Sequence, residues 1–162
     1  MSILDLRDRK VTNGHGRVRI MSFEARNPLS VNRPLRTNEP AHLTLHYASD
    51  YEKEIPMMWA RIGVLDGLGN SILSVGTTQT IRWFSHLPPH GTLTCKMDRL
   101  PLLPGQYKLS LALKTDYGPS GVADVLEGYV QLHISSEWEF PEDVIDKKHG
   151  SIYVPAEWSQ AQ

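Results

Sequence analysis

The sequence predicts an all-β protein, an antiparallel β-sandwich of about eight or nine short strands. Three observations predict it. Apolar and polar residues alternate one by one in several short runs, the period of a strand with one buried face. Glycine and proline, 12 and 11 of 162 residues, are spread along the chain and leave no segment for a long helix. The stretch Leu102-Leu103-Pro104-Gly105-Gln106-Tyr107 has the form of a tyrosine corner. In Greek-key sandwiches such a Tyr starts a strand and bonds back to upstream backbone.

Taken in order, residues 1–15 are polar and charged and read as a linker or chain edge, with the sandwich spanning 16–158. The first strand is expected over 17–25, followed by a loop rich in Asn and Pro over 26–40. Residues 41–48 alternate cleanly, with Leu43, Leu45 and Tyr47 on one face and His42, Thr44 and His46 on the other. In 57–65, Met58, Ala60, Ile62 and Val64 share a phase against Met57, Trp59, Arg61 and Gly63. Asp66-Gly67-Leu68-Gly69-Asn70 is a hairpin turn, because Asp and Asn bond nearby backbone and Gly accepts positive φ. Residues 71–75 return as a strand, 77–84 are β-rich with strand and loop both open, and 86–91 break the chain at two prolines. Leu93, Cys95 and Met97 then point inward from a further strand. After the corner, Tyr107, Leu109, Leu111 and Leu113 alternate with Lys108, Ser110, Ala112 and Lys114. Val130, Leu132 and Ile134 mark another strand, residues 137–149 are acidic and loop-like, and a last strand is expected at 150–155.

Composition bounds the function. A chain of 162 residues fits one domain and needs no metal or disulfide to hold its core. A formal net charge of −1 argues against nucleic acid as a partner, since phosphate binding needs clustered Lys and Arg. The single Cys95 excludes an internal disulfide, and its inward phase reads as a structural thiol rather than a nucleophile. The charged start lacks the apolar core of a signal peptide, and no apolar run reaches the length that spans a bilayer. There is no phosphate-binding loop, dinucleotide fingerprint or nucleophile elbow. His42 and His46 share a strand face but lie roughly 13 Å apart along it, too far to ligate one ion. Asp116, Asp124 and Glu127 cluster in what reads as a loop, where acids also serve solubility alone. No catalytic group, metal or cofactor is therefore expected.

The positive signal is a set of aromatic and hydrogen-bonding side chains on outward strand phases: Trp59 with Arg61, Tyr129 with Gln131 and His133, and His42 with Thr44 and His46. An apolar pyranose face packs on an indole while its hydroxyls need donors and acceptors, so such a face suits a sugar. Trp59 can equally be the buried core Trp of a sandwich, and Trp83 beside Phe84 poses the same choice. The polar residues alone also fit a plain solvated face. The candidate carbohydrate-binding residues are thus Trp59, Arg61, Gln131 and His133, with His46 at the margin and Trp83 as the other aromatic anchor.

Four stretches carry a family resemblance: Gly16-Arg17-Val18-Arg19-Ile20, residues 62–70, residues 100–110, and the tail Gly150-Ser151-Ile152-Tyr153-Val154-Pro155 up to Trp158. Together they resemble the C-terminal carbohydrate-binding domain of Wzt, the ATPase subunit of ABC transporters that export O-antigen polysaccharide. The resemblance implies an immunoglobulin-like or jelly-roll sandwich without catalytic activity. It implies a module that binds the finished, end-modified glycan in the bacterial cytoplasm, at the inner face of the inner membrane, and gives the exporter its substrate selectivity. It also implies a homodimer with exchanged C-terminal strands, and contact with the transporter's membrane subunit through an ATPase domain that this chain does not contain. A protein-interaction or adhesive immunoglobulin-like domain is the alternative reading, and a sandwich glycosidase a third.

Overall fold

The structure, a computed structural model, describes residues 3–79, 81–116, 119–137 and 150–160. Nine strands are formed among them: β1 Ile3–Asp5, β2 Val18–Arg26, β3 Ala41–Ser49, β4 Ile55–Leu65, β5 Ser71–Gly76, β6 Phe84–Leu87, β7 His90–Met97, β8 Gly105–Lys114 and β9 Val122–Ile134. They build two antiparallel sheets, one ordered β1-β2-β3-β7 and one ordered β5-β4-β8-β9, with β6 pairing the first part of β4. The expected sandwich is the fold found.

The sheets face each other through the alternating apolar phases. Ile20, Phe23, Leu43, Leu45 and Tyr47 from the first sheet meet Met58, Ile62, Val64, Leu109, Leu111, Leu113, Val130 and Leu132 from the second. Each such side chain is almost fully shielded and contributes about 1.5–3 kcal/mol of transfer free energy. The β4–β5 turn forms as its residues dictate: Asp66 Oδ1 accepts from the backbone N–H groups of Leu68 and Asn70 at 2.9 Å each, and Gly69 takes φ 88°.

Residues 3–15, expected as a linker, are packed onto the sandwich instead. Ile3, Leu4 and Asp5 pair with Glu24, Phe23 and Ser22 of β2, and Leu6 is buried in the core. The chain then crosses to the other sheet, where Val122 O accepts from His15 N at 3.0 Å and Ala123 O from Gly16 N at 2.9 Å. Gly14 makes the crossing at φ 122°, and a Cβ built there would stand 2.3 Å from Ala123 O. The polar composition of this segment concealed that its charges have partners: Arg9 ion-pairs with Asp124, which is fully buried. Asp124 and Glu127 lie in β9 and not in a loop, which corrects their reading as a loop cluster of acids.

The region read as a break between 86 and 91 is narrower than expected. Pro88 and Pro89 alone separate β6 from β7, and Pro88 O accepts a 2.9 Å hydrogen bond from the Tyr47 hydroxyl. The tyrosine corner is formed. Tyr107 is buried and its hydroxyl donates to Leu103 O at 2.6 Å. The tail returns to this corner: Leu103 N donates to Ser151 O at 2.9 Å, Tyr153 N donates to Pro101 O at 2.7 Å, and Leu102 and Ile152 form one antiparallel bridge. The loop expected over 137–149 falls outside the described residues except for Glu137.

Candidate functional site

Strand β4 is central in its sheet, so its outward residues form the middle of a face. Its pairing with β8 sets Trp59 opposite Lys114 and Arg61 opposite Ala112. On the far side, Arg61 lies opposite Gly76 of β5, where the missing side chain leaves room for the arginine. A Cβ built at Gly76 would come 3.6 Å from Arg61 Nε.

After β5 the chain makes a 3-10 turn, Thr77–Gln79, pinned to β4 by Thr77 Oγ1 accepting from Ala60 N at 3.2 Å. Arg82 then adopts φ 69°, a left-handed conformation uncommon for a residue with a side chain. The turn places Trp83 against Trp59, with ring centroids 5.9 Å apart and planes tilted by 55°. That is the tilted, edge-to-face type of contact aromatic rings prefer. Trp59 is neither the core tryptophan of the sandwich nor a fully exposed one: it stands half-buried on the outer face.

Beside this pair opens a cleft of about 380 Å³ lined by Trp59, Arg61, Thr78, Ala112, Lys114 and Val125, among others. Its floor is apolar, and its rim carries two cations and a hydroxyl. A half-buried aromatic wall with polar groups at the edge can hold one apolar ring face and hydrogen-bond the substituents around it.

The other candidates lie elsewhere. Gln131 and His133 sit outward on β9, opposite Lys108 and Gln106, and Gln106 Nε2 donates to His133 Nδ1 at 2.6 Å. They share the outer side of the sheet with Trp59, but from the Lys114 register to the Gln106 register is roughly 27 Å at ~3.4 Å per residue. They border a separate cleft of about 770 Å³ with Tyr129, Arg26 and Asn27. His46 is on β3 in the opposite sheet, half-buried between Ser22 and Thr92 on the outer side. The structure therefore joins Trp59, Arg61 and Trp83, and separates Gln131 and His133 from them at one end and His46 across the sandwich.

Lys114 and Thr78 were missed. Lys114 was visible as an outward residue, but its place beside Trp59 depends on a β4–β8 register between segments about 50 residues apart, which periodicity does not encode. Cys95 lines a different cleft, of about 330 Å³, with Arg61, Ile81, Phe84 and Thr94. Burial raises its thiol pKa, the opposite of what a nucleophile needs. No group of three or more potential metal ligands occurs among the described residues.

The crystal structure of the C-terminal domain of Wzt superposes on this chain with a TM-score of 0.73, covering 99% of this chain and 98% of that one. The chain has the fold of the Wzt C-terminal domain. Sequence identity across the match is 13%, so the likeness lies in the backbone path and not in shared side chains. The CARDB domain of a Pyrococcus furiosus protein covers 70% of this chain at 10% identity, with a TM-score of only 0.37. No family model matches the sequence, and no curated protein does. No helix among the described residues is long and apolar enough to cross a membrane.

Proposed function

We propose that this chain is a non-catalytic carbohydrate-binding module that takes a polysaccharide against the Trp59–Trp83 wall. The observation that carries the reading is that wall itself. Trp59 lines a cleft with Arg61, Lys114 and Thr78, and Trp83, 24 positions along the sequence, packs against it from beside the cleft. A fold shared with the Wzt C-terminal domain supports a finer reading, in which the glycan is an O-antigen and the module selects it for an ABC exporter. On that reading it works at the cytoplasmic face of the inner membrane as a homodimer with exchanged tails. The membrane subunit is then reached through a separate ATPase domain. Gln131 and His133, at the far end of the same sheet, would contact only a chain long enough to run along the face.

Retention on immobilised O-polysaccharide tests the reading. Trp59→Ala and Trp83→Ala should each weaken binding by about 2 kcal/mol, roughly thirtyfold, as buried aromatic anchors do. Circular dichroism should stay that of the parent. Full retention by both variants moves the site off this cleft. Binding of a protein partner in place of any glycan favours the interaction-domain alternative.

A further inference from the structure

We propose that the saccharide taken by the cleft beside Trp59 is acidic, carrying a carboxylate or phosphate that Arg61 and Lys114 hold between them. The inference rests on the reading of the cleft as a glycan site and names the chemical class of its ligand.

Arg61 and Lys114 stand on neighbouring strands as diagonal neighbours, since Arg61 pairs with Ala112 and Lys114 with Trp59. The backbone positions of such diagonal neighbours are about 7–8 Å apart, and Arg61, which lies over Gly76 on the β5 side, would swing toward Lys114 to share one anionic group with it. Among the described residues, neither cation has a hydrogen-bond or ion-pair partner, and no carboxylate lines the cleft. Two cations thus line one cleft with no acidic side chain among its described lining, in a chain whose net charge is −1.

The bland explanation for cations on a strand is protection of a sheet edge. It fails here, because β4 and β8 are the two inner strands of the order β5-β4-β8-β9. The donor and acceptor inventory points the same way. Arginine, lysine and tryptophan side chains can only donate, which leaves the Thr78 hydroxyl as the one side-chain acceptor lining the cleft among the described residues. A neutral sugar's hydroxyls can accept from these donors, but at this rim their own hydrogens find only the Thr78 side chain and otherwise fall to water. A carboxylate or phosphate only accepts, and a guanidinium fork matches either one with paired hydrogen bonds.

An array of bacterial surface polysaccharides of known composition, grouped as uronate-bearing, phosphate-bearing and neutral, tests the proposal with the full chain. The retained glycans should come from one or both acidic groups, and which group responds distinguishes carboxylate from phosphate. Raising salt from dilute buffer to about 0.5 M should weaken retention several-fold. Arg61→Gln and Lys114→Gln should each weaken it about tenfold, the worth of one charge-assisted contact. Retention of neutral glycans as strong as that of acidic ones, insensitive to salt and to both charge variants but lost in Trp59→Ala, overturns the acidic ligand and leaves the glycan site standing. Absence of retention for every group, or retention unchanged in Trp59→Ala, overturns the site reading and the acidic ligand together. The salt series on the unaltered protein decides the question even if a variant fails to fold.

Discussion

Asp124 has no exposed surface, yet it carries a charge that must be answered inside the protein. Arg9 supplies the countercharge, and Ile20 N donates to Asp124 Oδ2 at 2.8 Å. Arg9 belongs to the N-terminal segment, Ile20 to β2 and Asp124 to β9, so one carboxylate ties the lead-in to both sheets. Removing one partner of a buried pair strands the other charge, and Arg9→Ala should destabilise the fold by about 3–5 kcal/mol in urea unfolding. Asp124→Asn should be milder, since the amide oxygen can still accept from Ile20 N. A fall of less than about 1 kcal/mol for Arg9→Ala would mean that the pair is solvated and does not hold the segment. This role was not readable in the sequence. An Asp among nearby acids looks like a solubility feature until a partner 115 positions away reaches it. Trp59 was open to two readings for the same reason: its strand phase was plain, but the second tryptophan that covers it arrives from another segment.

At the scale of single elements, much of the fold was legible. Strands β3 and β8 alternate without interruption because one face packs on the core and the other meets solvent. Strands β1 and β6 were not read. With three and four residues they are too short to show a period, and their apolar content is ordinary for a loop. The tyrosine corner was legible because its chemistry is local: Pro104 and Gly105 turn the chain, and the hydroxyl reaches back four positions. Burial raises the Tyr107 pKa against an opposing hydrogen bond from Ser151, so the same hydroxyl also touches the tail. Tyr107→Phe leaves Leu103 O and Ser151 short of a partner and should reduce stability by about 1–2 kcal/mol. It should also loosen the tail, read as faster proteolysis after residue 150, while glycan retention at the distant Trp59 cleft stays unchanged. A denaturation midpoint equal to the parent's would show that the corner bond contributes nothing.

The arrangement of the whole molecule turns on that tail. Within one chain, 151–153 lie against 101–103 through two backbone hydrogen bonds and a single bridge, too little pairing to hold an isolated strand. Its apolar side chains gain little from the contact: Ile152 is 41% exposed, Val154 71% and Trp158 98%. A β-type run ending in an exposed tryptophan is poorly satisfied on its own. If the tails exchange, the same backbone bonds form between two copies, and the tails can bury Val154 and Trp158 against the partner at no loss of pairing. The exchange should show as a dimer mass in light scattering at micromolar concentration. On that arrangement, deleting 150–162 would remove the exchanged element and uncover the Leu102 segment, so the truncated chain should run as a monomer or aggregate through the bared backbone. Trp158→Ala should weaken the dimer while leaving each sandwich folded, which separates loss of association from loss of structure. A truncated chain that stays dimeric with unchanged stability would place the interface elsewhere and reduce the tail to a local strap over the tyrosine corner.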